Sequence, residues 1–218
     1  LFFVPFFWIL FYFIVGSYNT IYRRSRLKEF GQTLLISVIG NLVLFFLLLL
    51  DDQIASYTQY YKSYIVIFGL HFVATAFFRF SLTTHTGRKI KNREIGFNTL
   101  IIGSNQKALN LFNEISNQKH SSGHVFIGFT HVEKAKSYLL DEKLPHMGNS
   151  KGLRDTIIKN EIEEVIIAVE SSEHNRLENI ISEIEGLNVL IKVIPDMYDI
   201  LSGSVKMTSI FGTPLIEI

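Results

Sequence analysis

The sequence predicts an α/β protein in two parts, a transmembrane helical segment followed by a small, doubly wound parallel-sheet domain. Two observations predict it. Residues 1 to 82 hold most of the phenylalanine and few charges, although the whole 218-residue chain is 48% hydrophobic and 19% charged. After residue 88, short aliphatic runs alternate with segments of helical periodicity.

The first part, residues 1–87, carries three apolar runs, about 1–18, 31–50 and 63–82. Each approaches the length of about 17 to 25 residues that a bilayer demands. The loops set the orientation. Arg23, Arg24, Arg26 and Lys28 follow the first run, Asp51 and Asp52 follow the second, and Arg88, Lys89, Lys91 and Arg93 follow the third. Basic loops stay on the cytoplasmic side, so the acidic loop is outside and everything after Arg88 is cytoplasmic. Tyr57, Tyr60, Tyr61 and Tyr64 fit an interfacial belt. Asn41, His71 and Arg79 interrupt the spans; interhelical hydrogen bonding suits Asn41 and snorkelling suits Arg79. Leu1 is not an initiator methionine, so an upstream segment is expected.

The second part, residues 93–218, reads as strands at 98–103, 124–129, 164–169 and 188–194. Helices fall between them at 107–117, 153–159 and 175–185, with Asn149, Ser150, Ser171 and Ser172 as caps. Continuous apolar strands alternating with amphipathic helices imply a parallel sheet covered on both faces.

The first of these strands runs into Gly103, Ser104, Asn105, Gln106, Lys107 and Ala108. Dinucleotide-binding turns read G-x-G-x-x-G/A, with the middle glycine admitting the pyrophosphate. Gly103 and Ala108 fill the outer positions and Asn105 stands in the middle one. The fold is therefore Rossmann-like, while close pyrophosphate approach suffers at Asn105. The acidic residue that binds ribose hydroxyls at the end of the second strand is not evident: the run ends Gly128-Phe129-Thr130-His131, with no carboxylate before Glu133. Two readings stay open. Gly103, Ser104, Asn105, Gln106 and Lys107 form a nucleotide or nucleotide-sugar site at a helix N-terminus, or they are the strand-to-helix turn of a scaffold.

Other chemistry is excluded more firmly. The chain has no cysteine and a net charge of +1, which removes thiolate chemistry and gives no footprint for nucleic acid. His120 and His124 flank a glycine-containing loop without metal spacing, so no metal site is expected in this chain. Glu170, at the carboxyl end of the third strand, sits where ligands bind in this fold, but no nucleophile-base pair accompanies it and no catalytic residue is assigned.

The order of elements, with the stretches "YRRSR", "NTLIIGSNQKAL", "HVFIGF", "VIPDMYDIL" and "GTPLIEI", resembles the N-terminal portion of the polyprenyl glycosylphosphotransferases. That resemblance implies the membrane-anchoring and regulatory part of a sugar transferase. The parent would move hexose-1-phosphate from a UDP-sugar to undecaprenyl phosphate, starting exopolysaccharide, capsule or O-antigen synthesis at the bacterial inner (cytoplasmic) membrane. It implies a CoA-binding-like soluble domain, a multi-pass protein in contact with bilayer lipid, and a transferase domain beyond Ile218 holding Mg2+, so this chain alone would be inactive. A UDP-sugar or nucleotide effector and a homodimer are compatible with it. The alternatives are an NAD(P)-dependent sugar-nucleotide-modifying enzyme and a structural dimerisation module. The former usually carries a Tyr-x-x-x-Lys pair, and the residue four before Lys62 is Thr58.

Overall fold

The structure, a computed structural model, describes residues 3–18, 26–49, 57–169, 174–194 and 215–217. Arg23, Arg24, Asp51, Asp52, Glu170, Ser171, Ser172 and most of the "VIPDMYDIL" and "GTPLIEI" stretches lie outside the described residues. The chain divides into two compact units, Leu1–Lys89 and Ile90–Ile218.

The first unit is helical: α1 (Phe3–Ile14), α2 (Arg26–Leu44) running into a π-helical turn at Phe45–Leu49, and α3 (Tyr57–Lys91). Among the described residues, two helical stretches, Arg26–Leu47 and Thr58–Lys91, are long and apolar enough to cross a membrane. The 12 residues of α1 extend about 18 Å, short of the roughly 30 Å hydrocarbon core. Where the helices meet, small and polar side chains are buried. A Cβ at Gly40 would strike the Trp8 ring, so glycine lets α1 and α2 approach. Trp8 in turn stacks on His71 with ring centroids 3.7 Å apart, and His71 Nε2 lies 3.2 Å from the Tyr12 hydroxyl.

The polar interruptions differ from the expectation. Arg79 does not snorkel: its guanidinium pairs with Glu29 at 2.5 Å and sits 4.7 Å over the Tyr12 ring. Glu29 is itself buried, and a buried cation is held best by a charge partner. Asn41 donates from Nδ2 to the Ser37 carbonyl of its own helix at 2.8 Å, rather than across helices.

Among the described residues, the second unit is a six-stranded sheet in the order β3-β2-β1-β4-β5-β6. Its strands are β1 (Phe97–Ile102), β2 (His124–His131), β3 (His146–Asn149), β4 (Glu164–Ile167), β5 (Leu190–Val193) and β6 (Ile216–Glu217). The first five are parallel and β6 is antiparallel to β5. Helices α4 (Gln106–Ser116), α5 (Leu153–Lys159) and α6 (His174–Ile184) fill the crossovers after β1, β3 and β4. Alternation along the strands divides the core in two. Ile101, Phe129, Ile166 and Ala168 pack with Ala108, Leu111 and Ile115 of α4. Leu100, Ile102, Val165 and Ile167 pack on the opposite face with Leu153 and Ile157 of α5 and Ile180 and Ile184 of α6. A sheet buried on both faces explains why its strands read as unbroken aliphatic runs.

Candidate functional site

The strand order reverses between β1 and β4, because α4 covers one face of the sheet and α5 and α6 the other. Ligands of open α/β sheets bind outside the carboxyl ends of the strands at this switch point. A cavity of about 280 Å³ opens there, lined by Gly103, Ser104, Asn105, Val132, Glu133, Ala135, Ser137, Tyr138, Leu139, Ala168 and Val169. A larger cavity of about 400 Å³ lies under α4 and the amino ends of the strands, between Arg93, Phe112, His124 and Phe126. Position favours the smaller one, since strand amino ends are not where this architecture presents its loops and helix N-termini.

Gly103 makes the turn out of β1. Its φ is +115°, and a Cβ there would lie 2.5 Å from the Ala168 carbonyl oxygen, so glycine is required by the approach of two strand ends. Its N–H donates to the Thr130 carbonyl at 2.8 Å. Asn105 is the N-cap of α4: φ is −83°, and Oδ1 accepts from the Ala108 N–H at 3.0 Å. The middle glycine of the fingerprint is thus replaced by a residue in ordinary extended backbone whose side chain satisfies a first-turn donor. The positive dipole end of α4 still faces this end of the sheet.

Of the five residues predicted for the site, Gly103, Ser104 and Asn105 line the cavity, whereas Gln106 and Lys107 are not among its lining residues. Gln106 reaches along the helix to Asn110 Oδ1 at 2.8 Å.

Three contributors were missed in the sequence. β2 runs on to His131 rather than ending at Phe129, which carries the chain into the cavity wall and brings Glu133 there two residues later. Glu133 pairs with Arg176 of α6 at 2.6 Å, both side chains substantially exposed. Tyr138 returns from the loop after β2 and stacks on His131, centroids 4.9 Å apart. His131 Nδ1 lies 2.8 Å from His146 Nε2 of β3. At this carboxyl edge the Thr130 hydroxyl and His131 Nε2 are buried without a hydrogen-bond partner among the described residues, a demand for polar company that water or a ligand meets.

A different ionic cluster holds the opposite edge of the sheet. Glu164, at the start of β4 and 1% exposed, lies 3.0 Å from His124 Nδ1 and 2.5 Å from Lys192 Nζ. Burial by itself would raise the Glu164 carboxyl, but the hydrogen bond and charge of His124, joined by Lys192, outweigh it and hold the group below the usual carboxylate value.

This α/β sheet, with a glycine turn and a cavity at its switch point, defines a Rossmann-like nucleotide-binding fold. The chain belongs to the CoA-binding domain family, which it matches over residues 14–195. No curated protein matches it. Among solved structures it is similar to UDP-D-quinovosamine 4-dehydrogenase from Vibrio fischeri, with 25% identity and a TM-score of 0.42 over 56% of this chain and 93% of that one. It is also similar to RSP in complex with β-NADH, with 15% identity and a TM-score of 0.40 over 66% of this chain and 78% of that one.

CoA can be tested against the residues present. An anion-accepting helix end and a polar cavity edge suit a nucleotide. The Glu133 carboxylate and the side chain at Asn105 do not suit a phosphorylated ribose or a closely seated pyrophosphate.

Proposed function

We propose that this chain is the membrane-anchoring and regulatory part of a sugar transferase that moves hexose-1-phosphate from a UDP-sugar to undecaprenyl phosphate, with the switch-point cavity as its nucleotide-sensing site. One observation carries the reading. The family match begins at Ile14, the last residue of α1, and continues through α2 and α3 to just past β5, so the two long apolar helices and the sheet belong to one inherited unit rather than to a soluble enzyme with a fused anchor. The outward apolar side chains of α3, among them Leu70, Val73 and Phe77, support a lipid environment, since a soluble core helix would bury them. The orientation follows the basic loops and puts the sheet domain in the cytoplasm, where nucleotide sugars are available to it. In this reading the chain spans the inner membrane of a bacterium more than once, and transfer itself belongs to a separate magnesium-dependent domain.

The test uses membranes carrying residues 1–218. They should bind radiolabelled UDP-sugar or nucleotide yet release no UMP in the presence of undecaprenyl phosphate. UMP release would make the chain itself a transferase; absence of all nucleotide binding would remove the sensing role.

A further inference from the structure

We propose that the switch-point cavity selects nucleotides whose ribose keeps both hydroxyls free, and that it rejects CoA, the ligand in the family's description, through Glu133. The inference rests on the nucleotide-sensing reading above and adds the class of ligand. The polypeptide leaves β2 at His131 and places Glu133 in the cavity wall with Gly103, Ser104 and Asn105. In this fold the residue just past the second strand faces the ribose: a carboxylate accepts hydrogen bonds from the diol, whereas a cation accommodates a ribose phosphate. Arg176 is close enough to serve as that cation, but it is paired with Glu133 at 2.6 Å. A phosphate on the ribose would therefore meet a carboxylate and could reach Arg176 only by breaking that pair. CoA carries such a phosphate on its 3′ oxygen and NADP carries one on its 2′ oxygen, while dephospho-CoA and NAD lack them.

Asn105 adds to the restriction. It stands where the fingerprint has its middle glycine and its Oδ1 is already bonded to the Ala108 N–H, so the pyrophosphate that CoA and NAD share is seated less closely in either case. The matched pairs isolate the ribose contact from this common effect.

Isothermal titration of the full chain in nanodiscs with dephospho-CoA, CoA, NAD, NADP, ADP and UDP tests the proposal. Dephospho-CoA should bind at least about tenfold more tightly than CoA, and NAD more tightly than NADP by a similar factor. Glu133→Gln should weaken the diol ligands and shrink both ratios to below about threefold, with circular dichroism unchanged. CoA binding as tightly as dephospho-CoA, or ratios that survive Glu133→Gln, would overturn the inference and leave the cavity reading standing. No binding by any of the six would overturn both.

Discussion

Replacing Glu164 by glutamine keeps the shape of a buried side chain and removes the charge between His124 and Lys192. At an effective dielectric constant of about 20, the Lys192 contact is worth roughly 6 kcal/mol in gross Coulomb energy, much of it offset by desolvation. Breaking a buried pair by removing one partner costs about 3–5 kcal/mol. The Lys192 side chain is 19% exposed and regains some water when its partner goes, so the lower end, about 3 kcal/mol, is expected. In hydrogen exchange on the full chain in detergent, peptides over β4 and β5 should lose protection by about a hundredfold. Adding Lys192→Met removes the stranded ammonium and should restore most of the loss. The pH dependence has a definite sign. The folded carboxyl lies below its ordinary value of 4.5, so the unfolded chain takes up the proton first as pH falls. The stabilisation is complete above about pH 4.5, drains away as pH falls through the folded value, and is absent from the variant. Unchanged protection in Glu164→Gln, or a Lys192→Met change that adds to the damage, would refute the reasoning.

Gly103→Ala forces a Cβ against the Ala168 carbonyl at positive φ and should cost about 1–3 kcal/mol, lowering the melting temperature by several degrees; an unshifted transition would contradict the strain argument. In the helical unit, Glu29→Gln should strip the Arg79 guanidinium of its carboxylate and reduce the folded, monodisperse fraction in detergent, while the exchanged pair Glu29→Arg with Arg79→Glu should recover it. Equal damage from the exchange would show that geometry rather than charge matters. Because the chain has no cysteine, single Ser63→Cys and Lys89→Cys variants report topology directly: an impermeant maleimide should label them from opposite sides of the membrane, and labelling from one side would exclude a spanning α3.

Much of this fold was legible because its strands are buried on both faces and its helices are amphipathic. The helix predicted over 153–159 coincides with α5, and the four long strand runs all appear within a few residues of their observed ends. Two strands were not legible. β3 is His-Met-Gly-Asn, and its place in the sheet comes from pairing with β2 rather than from its own propensity. β6 is two residues long and is placed by β5. At the site, the glycine turn was visible and the acidic wall was not. Apolar periodicity stops at Phe129, while Thr130 and His131 continue β2 through backbone pairing and ring contacts that a pattern of hydrophobicity does not record. Glu29 and Arg79 are 50 residues apart, and only tertiary packing reveals that they neutralise each other.

The parallel sheet also separates stability from binding in space. β2 begins at His124, in contact with Glu164, and ends at His131, two residues before Glu133. Seven strand steps put roughly 23 Å between the two ends of β2, beyond the range at which substitutions usually couple. The ionic cluster fixes the registers of β2, β4 and β5 at the edge remote from the switch point. The carboxyl edge is then free to carry groups that are poor for folding: a Thr130 hydroxyl and a His131 Nε2 that are buried without a hydrogen-bond partner among the described residues. Buried polar atoms without partners cost about 1–3 kcal/mol each. A sheet edge tolerates them when the opposite edge is pinned, and a polar ligand recovers the cost by supplying partners. That division makes the crevice the place where binding can change the stability of this domain most.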